Sequence, residues 1–300
     1  MTRLAIISDL HVDINGLFAS EFSLLAEILQ EEKITHLHFA GDLANKVDRA
    51  REVVAYFTEA GFVTTFNWGN HEMADLTEAQ IEDFPAPGFL NFKTFPLSES
   101  SVLLGYNGWY DYAFAQEVEP EKIPKLKELY WYDRMIQRTG TDPEVDAALL
   151  RHLRKVLNQL QKAGKDVILA THFVPQKEFI IYQTAPKLRR WNELNAFLGS
   201  AGLGRLLDQY DNISHCVFGH THRHFPDLTR GKTVYSCRPF GYYFEWQLTK
   251  DFVFANQLVA EYAPMKLRGI LRRNQAAFDT YKKVHLAEEF RRSMTIIERN

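Results

Sequence analysis

Residues 3–11 read RLAIISDLH, and this stretch sets the pattern for the chain. The apolar run Leu4–Ile7 has the length and the β-branched content of a buried strand. It stops abruptly at a polar tip, Ser8-Asp9-Leu10-His11. The same grammar recurs four times. THLHFA (35–40) runs into Gly41-Asp42, and FVTTFNW (62–68) into Gly69-Asn70-His71-Glu72. DVILA (166–170) runs into Thr171-His172, and ISHCVF (213–218) into Gly219-His220-Thr221-His222.

Helical periodicity fills several of the gaps, at about 20–32, 47–60, 144–163 and 193–210. Strands alternating with helices predict an α/β fold. In such sheets ligands bind beyond the carboxyl ends of the strands, which is where every polar tip falls. Residues 106–142 read as an aromatic and helical insertion, with a helix around 121–137, that caps the site. The alternation in 233–259 predicts a β meander. From 264 onward the spacing of Leu267, Ile270, Leu271, Phe278 and Tyr281 predicts helix. The expected organisation is one main domain over 1–262, carrying the polar tips, and a C-terminal helical extension, 263–300, packed on it.

The 300 residues carry a net charge of −3 and a pI near 6.4. There is no global basic field, which disfavours long nucleic acid as a partner. A local net of +5 sits in Lys266–Asn300, where the simplest reading is a basic solvent face. Two cysteines, Cys216 and Cys237, are too few for a disulfide framework. No leader and no run of 18 apolar residues is seen, so a cytoplasmic protein without a membrane span is expected. The sequence leaves the oligomeric state open.

The tips offer carboxylate, amide and imidazole but no thiolate. That donor set suits Mn, Fe, Zn, Co or Ni, with Mn or Fe/Zn foremost. Asp9 and His11 are two apart, as are His220 and His222, and on an extended backbone each pair points one way. The tips exceed the needs of one tetrahedral ion. Two divalent ions sharing a carboxylate would use them all, the usual clamp for attack on phosphorus.

In order, D-x-H, G-D, G-N-H-E, a lone His and G-H-x-H resemble the calcineurin-like metallophosphoesterases over roughly residues 3–240. The resemblance implies a four-layer αββα sandwich, with two sheets packed face to face and helices outside. It implies one metal on Asp9, His11, Asp42 and His222. It implies a second on Asp42, Asn70, His172 and His220, with Asp42 bridging. A water or hydroxide between the ions would attack phosphorus. His71 would protonate the leaving oxygen, a role suited to imidazole. Many members read G-D-x-x-D, whereas this chain reads GDLAN. Asn45 then orients His71 without a charge, which predicts a lower working pKa for His71. Asn45→Asp is expected to move the acid side of the pH–rate profile upward.

Other candidates have blander readings. His36 and His38 read as strand residues with local hydrogen bonds, His215 as structural, and His152 and His285 as solvated. His224 follows the period-2 rule from His222 and is expected to face the site. The long connection 173–192 places Arg189 and Arg190 as candidate phosphate ligands, against a solvated loop. Trp109, with Tyr110 and Tyr112, is a candidate substrate contact, against core packing. The function expected is hydrolysis of a phosphodiester or small phosphorylated metabolite. A phosphoprotein phosphatase, a nuclease, a mononuclear zinc hydrolase and a non-catalytic binding module are the alternatives.

Overall fold

Two sheets, each with its helices on one side, carry the chain in a computed structural model that describes residues 2–299. In chain order the first elements are β1 (Thr2–Ile7), α1 (Ala19–Glu31), β2 (His36–Ala40), α2 (Val47–Glu59), β3 (Val63–Asn67), α3 (Asn70–Met73) and α4 (Glu78–Glu82). Then come β4 (Thr94–Pro96), β5 (Ser101–Tyr106), α5 (Ile123–Tyr130), α6 (Asp142–Lys162), β6 (Asp166–Thr171), α7 (Arg189–Leu194) and α8 (Ala201–Leu207). The last are β7 (Ile213–Phe218), β8 (Leu228–Arg230), β9 (Thr233–Cys237), α9 (Gln247–Ala255), α10 (Pro264–Arg273), α11 (Gln275–Arg292) and β10 (Met294–Arg299).

The sheets have the orders β10-β1-β2-β3 and β4-β5-β6-β7-β9-β8. Successive side chains on a strand face opposite ways, and the core divides accordingly. Leu4 and Ile6 of β1 join Leu103, Ile168, Ala170 and Val217 of the other sheet in one cluster between the sheets. Ala5, Ile7, Leu37 and Phe39 face outward, onto Phe22, Val53, Phe57, Phe252 and Phe290 of the helices α1, α2, α9 and α11. Leu104, Leu169, Cys216 and Phe218 face α6 and α8 through Leu153, Leu157, Leu203 and Leu207. These are the four layers expected from the sequence. Both cysteines are free and buried. Among the described residues no helix is long and apolar enough to cross a membrane.

Strands β1, β2 and β3 run parallel, as do β5, β6, β7 and β9. The five strands β1, β2, β3, β6 and β7 finish at one edge of the sandwich, where the residues just past their ends come together from both sheets.

Three expectations are corrected. The meander over 233–259 is one strand, β9, followed by a loop and then α9; Leu248, Phe252 and Val253 of that helix are buried. Their aromatic and β-branched character suggested strand, but their spacing of four and one serves a helix face. The helix expected at 193–210 is broken into α7, a 3₁₀ turn at Asn195–Phe197 and α8. Ser200 restarts it by accepting the Leu203 N–H at 3.0 Å. The C-terminal segment is helical only to Arg292. Its last strand, β10, pairs antiparallel with β1, from Thr2 opposite Arg299 to Ile7 opposite Met294. The segment 263–300 thus shares a sheet with the first strand.

Candidate metal centre

The seven donor residues named from the sequence converge at the shared strand edge. Asp9 and His11 follow β1, Asp42 follows β2, and Asn70 opens α3 just past β3. His172 follows β6, and His220 and His222 follow β7. Donor atoms of Asp9, His11, Asp42 and His222 lie within 4.8 Å of one another, as do those of Asp42, His172 and His220. Asp42 belongs to both groups. Its Oδ2 is 3.7 Å from His11 Nε2 and 3.4 Å from His172 Nε2.

The backbone achieves this differently from the extended tips expected. Asp9, His11, Asp42, His220 and His222 all have positive φ, between 41° and 68°. Each tip is a tight left-handed turn, a conformation that costs a non-glycine residue on the order of 1–3 kcal/mol. The paired residues reach one place because the chain coils, not because it extends. Glycine is required where carboxylates crowd the neighbouring tip. A Cβ on Gly69 would lie 2.1 Å from Asp42 Oδ1, and one on Gly219 would lie 2.0 Å from Asp9 Oδ2.

Hydrogen bonds aim the donors inward. His172 Nδ1–H donates to the Ala40 carbonyl at 3.2 Å, and His220 Nε2–H to the Phe197 carbonyl at 3.2 Å. His222 Nδ1–H donates to Glu245 Oε2 at 2.8 Å. Asn70 Nδ2–H donates to Asp133 Oδ1 at 2.7 Å, which turns its carbonyl oxygen the other way. The remaining donor atoms then face each other. His11 Nε2 and His222 Nε2 are 3.0 Å apart, and His172 Nε2 is 3.0 Å from both His220 Nδ1 and Asn70 Oδ1. Buried lone pairs directed at one another repel unless a cation lies between them, so the donor set fits divalent metal.

The electrostatics make the same demand. Burial works to raise the Asp9 carboxyl, but the His222 hydrogen bond and the charges of His172 and His222 hold it at about 2. Asp42 is likewise below the ordinary carboxylate range, because His172 and His71 outweigh its burial. Both carboxylates stay ionised and draw positive charge. Against their burial, His222 is pushed up to about 10 by Glu245 and Asp9, and His172 to about 9 by Asp42. A divalent ion answers the same demand through the lone pairs.

His71 does not share the inward donor set. Its Nδ1–H donates to Asn45 Oδ1 at 2.5 Å, the orienting contact expected from GDLAN. Its Nε2 accepts from the Tyr242 hydroxyl at 3.2 Å. Tyr132 stacks flat on the ring, with centroids 4.3 Å apart and planes 11° apart. The pKa of His71 is lowered, and burial rather than Asn45 is the leading cause.

Four candidates lie elsewhere. His224 donates from Nε2 to the Pro239 carbonyl at 2.9 Å; the left-handed turn at His222 breaks the period-2 rule that was to bring it to the site. Trp109 is a core residue, 1% exposed, with its Nε1–H on Asp142 Oδ1 at 2.9 Å. Arg189 pairs with Glu117 at 2.7 Å, and Arg190 lies over the Tyr130 ring at 4.4 Å. The bland readings of His36 and His38 agree with the structure: both bond to Thr65, and His38 also bonds to Asn67. His215 is a strand residue near Arg299, and His152 stacks on Phe92.

The sequence reading missed Glu245, Tyr242, Tyr132 and Asp133. Asp133 and Tyr132 come from the insertion over 106–142, which does reach the donors. Tyr242 and Glu245 follow β9, whose run TVYSC also ends at the shared edge, in RPFGYYFE. That sixth strand tip was legible by the same grammar. Glu72 organises the tips from below. Its carboxylate accepts the N–H groups of Asp42, Ala44 and Gly69 at 2.9–3.0 Å. Burial and the nearby Asp42 raise it to about 8.

The fold has counterparts among known proteins. The family model for calcineurin-like phosphoesterases matches residues 2–224. The crystal structure of a phosphopantetheinyl hydrolase from Mycobacterium tuberculosis is similar at a TM-score of 0.60 and 18% identity, over 82% of this chain and 92% of that one. A dimetal phosphatase from Danio rerio is similar at a TM-score of 0.50 and 14% identity, over 79% of this chain and 87% of that one. No curated protein matches the sequence. With the family model spanning the donor residues and the fold shared by these structures, the chain belongs to the calcineurin-like phosphoesterase family.

Proposed function

We propose that the chain hydrolyses a small phosphate ester, monoester or diester, with two divalent ions. The position of Asp42 carries the reading, because its Oδ2 lies between the two donor groups. In this reading Asp9, His11, Asp42 and His222 hold one ion, and Asp42, Asn70, His172 and His220 hold the other. When bound, the ions supply Lewis-acid activation of the phosphoryl group and of water. The chain's own residues supply the rest. Glu245, Asp133 and the carbonyls of Ala40 and Phe197 hold the ligands in the correct tautomer and orientation. His71, fixed through Nδ1 by Asn45, is the proton donor in this reading: once Nε2 is protonated, the leaving oxygen takes the place of the Tyr242 hydroxyl as its partner and receives the proton.

A small substrate fits the surroundings better than a protein surface. His71 is 6% exposed and is flanked by Tyr132 and Tyr242. The metal identity follows from the donor set only as far as Mn, Fe, Co, Ni or Zn.

The test combines metal analysis with a substrate panel. The purified chain, reconstituted with Mn²⁺, is expected to hold two ions and to hydrolyse members of a panel of phosphomonoesters and phosphodiesters. Asp42→Asn is expected to lower that rate by at least about a hundredfold, the scale of losing a shared charge stabiliser. A single tightly bound ion at full activity overturns the two-ion reading. No hydrolysis of any ester overturns the enzyme reading.

A further inference from the structure

A cleft of about 660 Å³ lies between the loop after β1 and helices α10 and α11, one layer of side chains away from the metal donors, none of which lines it. Its walls include Asp13, Phe18, Tyr243, Arg268, Arg272 and Lys282. The size is that of a small-molecule site, roughly 300–1,000 Å³. It connects to the centre at two points. Asp13 Oδ2 accepts the N–H of Asn45 at 2.8 Å, and Asn45 is the residue that holds His71. Tyr243, in the other wall, directly follows Tyr242, whose ring covers His11 and His222 at 4.6 and 4.3 Å.

Arg268 and Arg272 stand one helical turn apart on α10, so they share a side of the helix. Among the described residues, neither forms an ion pair with a carboxylate. Arg268 lies over the Phe244 ring at 4.4 Å, and that ring is 5.3 Å from the ring of Tyr242. Packed aromatic rings thus separate the donors from the first arginine by two side chains. The carboxylates in the cleft do not neutralise the pair. Asp13 has its oxygens on the N–H groups of Ile14 and Asn45. Asp279 also lines the cleft, where Arg268, Arg272 and Lys282 are three cations against the two carboxylates of Asp13 and Asp279. Two guanidinium forks without a counter-charge suit a phosphate group.

We propose that this cleft takes the leaving group of the substrate, and that Arg268 and Arg272 bind a second phosphate carried on it. The inference rests on the phosphoesterase reading above and narrows it to esters bearing two phosphate groups. One phosphate lies at the metal donors and the other at the arginines, while Phe18 and Tyr243 flank the group between them.

Two measurements separate this from the reading it rests on. The first is calorimetric binding in the presence of EDTA, with AMP, which carries only the phosphate assigned to the arginines, and adenosine as probes. AMP is expected to bind the wild-type chain at least about tenfold tighter than adenosine, and Arg268→Ala/Arg272→Ala to erase that advantage. Arg272→Glu, an exposed change that leaves the Phe244 stack intact, is expected to act in the same direction, and Arg272→Lys to retain part of the advantage. Equal binding of the two probes by wild type, or an undiminished advantage in the double variant, overturns the proposal. The second measurement is kcat/KM with Mn²⁺. The ratio for adenosine 3′,5′-bisphosphate over p-nitrophenyl phosphate is expected to fall at least about tenfold in the double variant; an unchanged ratio counts against the cleft. If wild type cleaves neither ester, the phosphoesterase reading fails, while the binding measurement still decides whether the cleft holds a second phosphate.

Discussion

His71 is held through both ring nitrogens, by Asn45 on one side and Tyr242 on the other. Asn45 can accept the Nδ1 proton but gives the imidazolium no charge to lean on. A carboxylate at the same distance would stabilise the protonated ring and raise its pKa, by about one to two units. A proton donor is lost when it deprotonates, so the limb that moves is the alkaline one. The acid side named from the sequence is the wrong limb for a general acid. Asn45→Asp is expected to extend activity toward higher pH, read as the alkaline inflection of kcat for an alkyl ester. An unmoved inflection would show that Asn45 does not act through His71. Glu245 makes a second residue-scale case. It accepts the Nδ1 proton of His222 and so keeps Nε2 for metal. Glu245→Ala is expected to weaken the ion at Asp9, His11 and His222 by about 10–100-fold in metal titrations. The other ion's affinity serves as the internal control.

At the scale of elements, the strands ending in polar tips were legible because each joins a short apolar run to an abrupt polar stop. The conformation of the tips was not. Nothing in DLH or GHTH announces left-handed turns, because those angles are imposed by neighbouring tips that arrive from distant sequence. Helix boundaries failed where local pattern and tertiary packing disagreed, as at Ser200 and in α9. Helix α6 also carries a buried charge that pattern alone could not reveal. Asp146 is 2% exposed, receives the Ser200 hydroxyl at 2.8 Å, and is raised by burial to about 7. Its folded pKa lies above the unfolded value, so its contribution is full below about pH 4 and is lost as pH rises through about 7. Asp146→Asn removes that dependence. Between pH 5 and pH 8 the variant is expected to gain stability relative to wild type by roughly 1–4 kcal/mol. Urea midpoints at the two pH values measure it, and a constant difference would mean that Asp146 titrates normally.

At the scale of the molecule, the α/β class followed from alternation and the four layers from the family resemblance, whereas the closing of the chain on itself was not legible. MTIIER (294–299) is too short and too weakly alternating to be separated from the helix before it. Its partner, β1, lies nearly the full chain length away, so no local signal exists. Yet β10 is the edge strand outside β1, and Ile297 is 4% exposed in the cluster between the sheets. Arg299 extends the connection, pairing with Asp166 of β6 at 3.1 Å. A merely appended helical tail would tolerate loss of its last residues. The paired strand predicts otherwise. Ile297→Ala is expected to cost about 2–4 kcal/mol of unfolding free energy, measured by denaturant titration. Deleting 294–300 should be worse, since it removes a six-residue ladder and bares the edge of β1, the strand that positions Asp9 and His11. The truncated chain is expected to aggregate on expression or to lose metal binding at the Asp9 group first. A soluble truncation with wild-type stability and metal content would show that β10 is dispensable, and that the site depends on the first sheet without it.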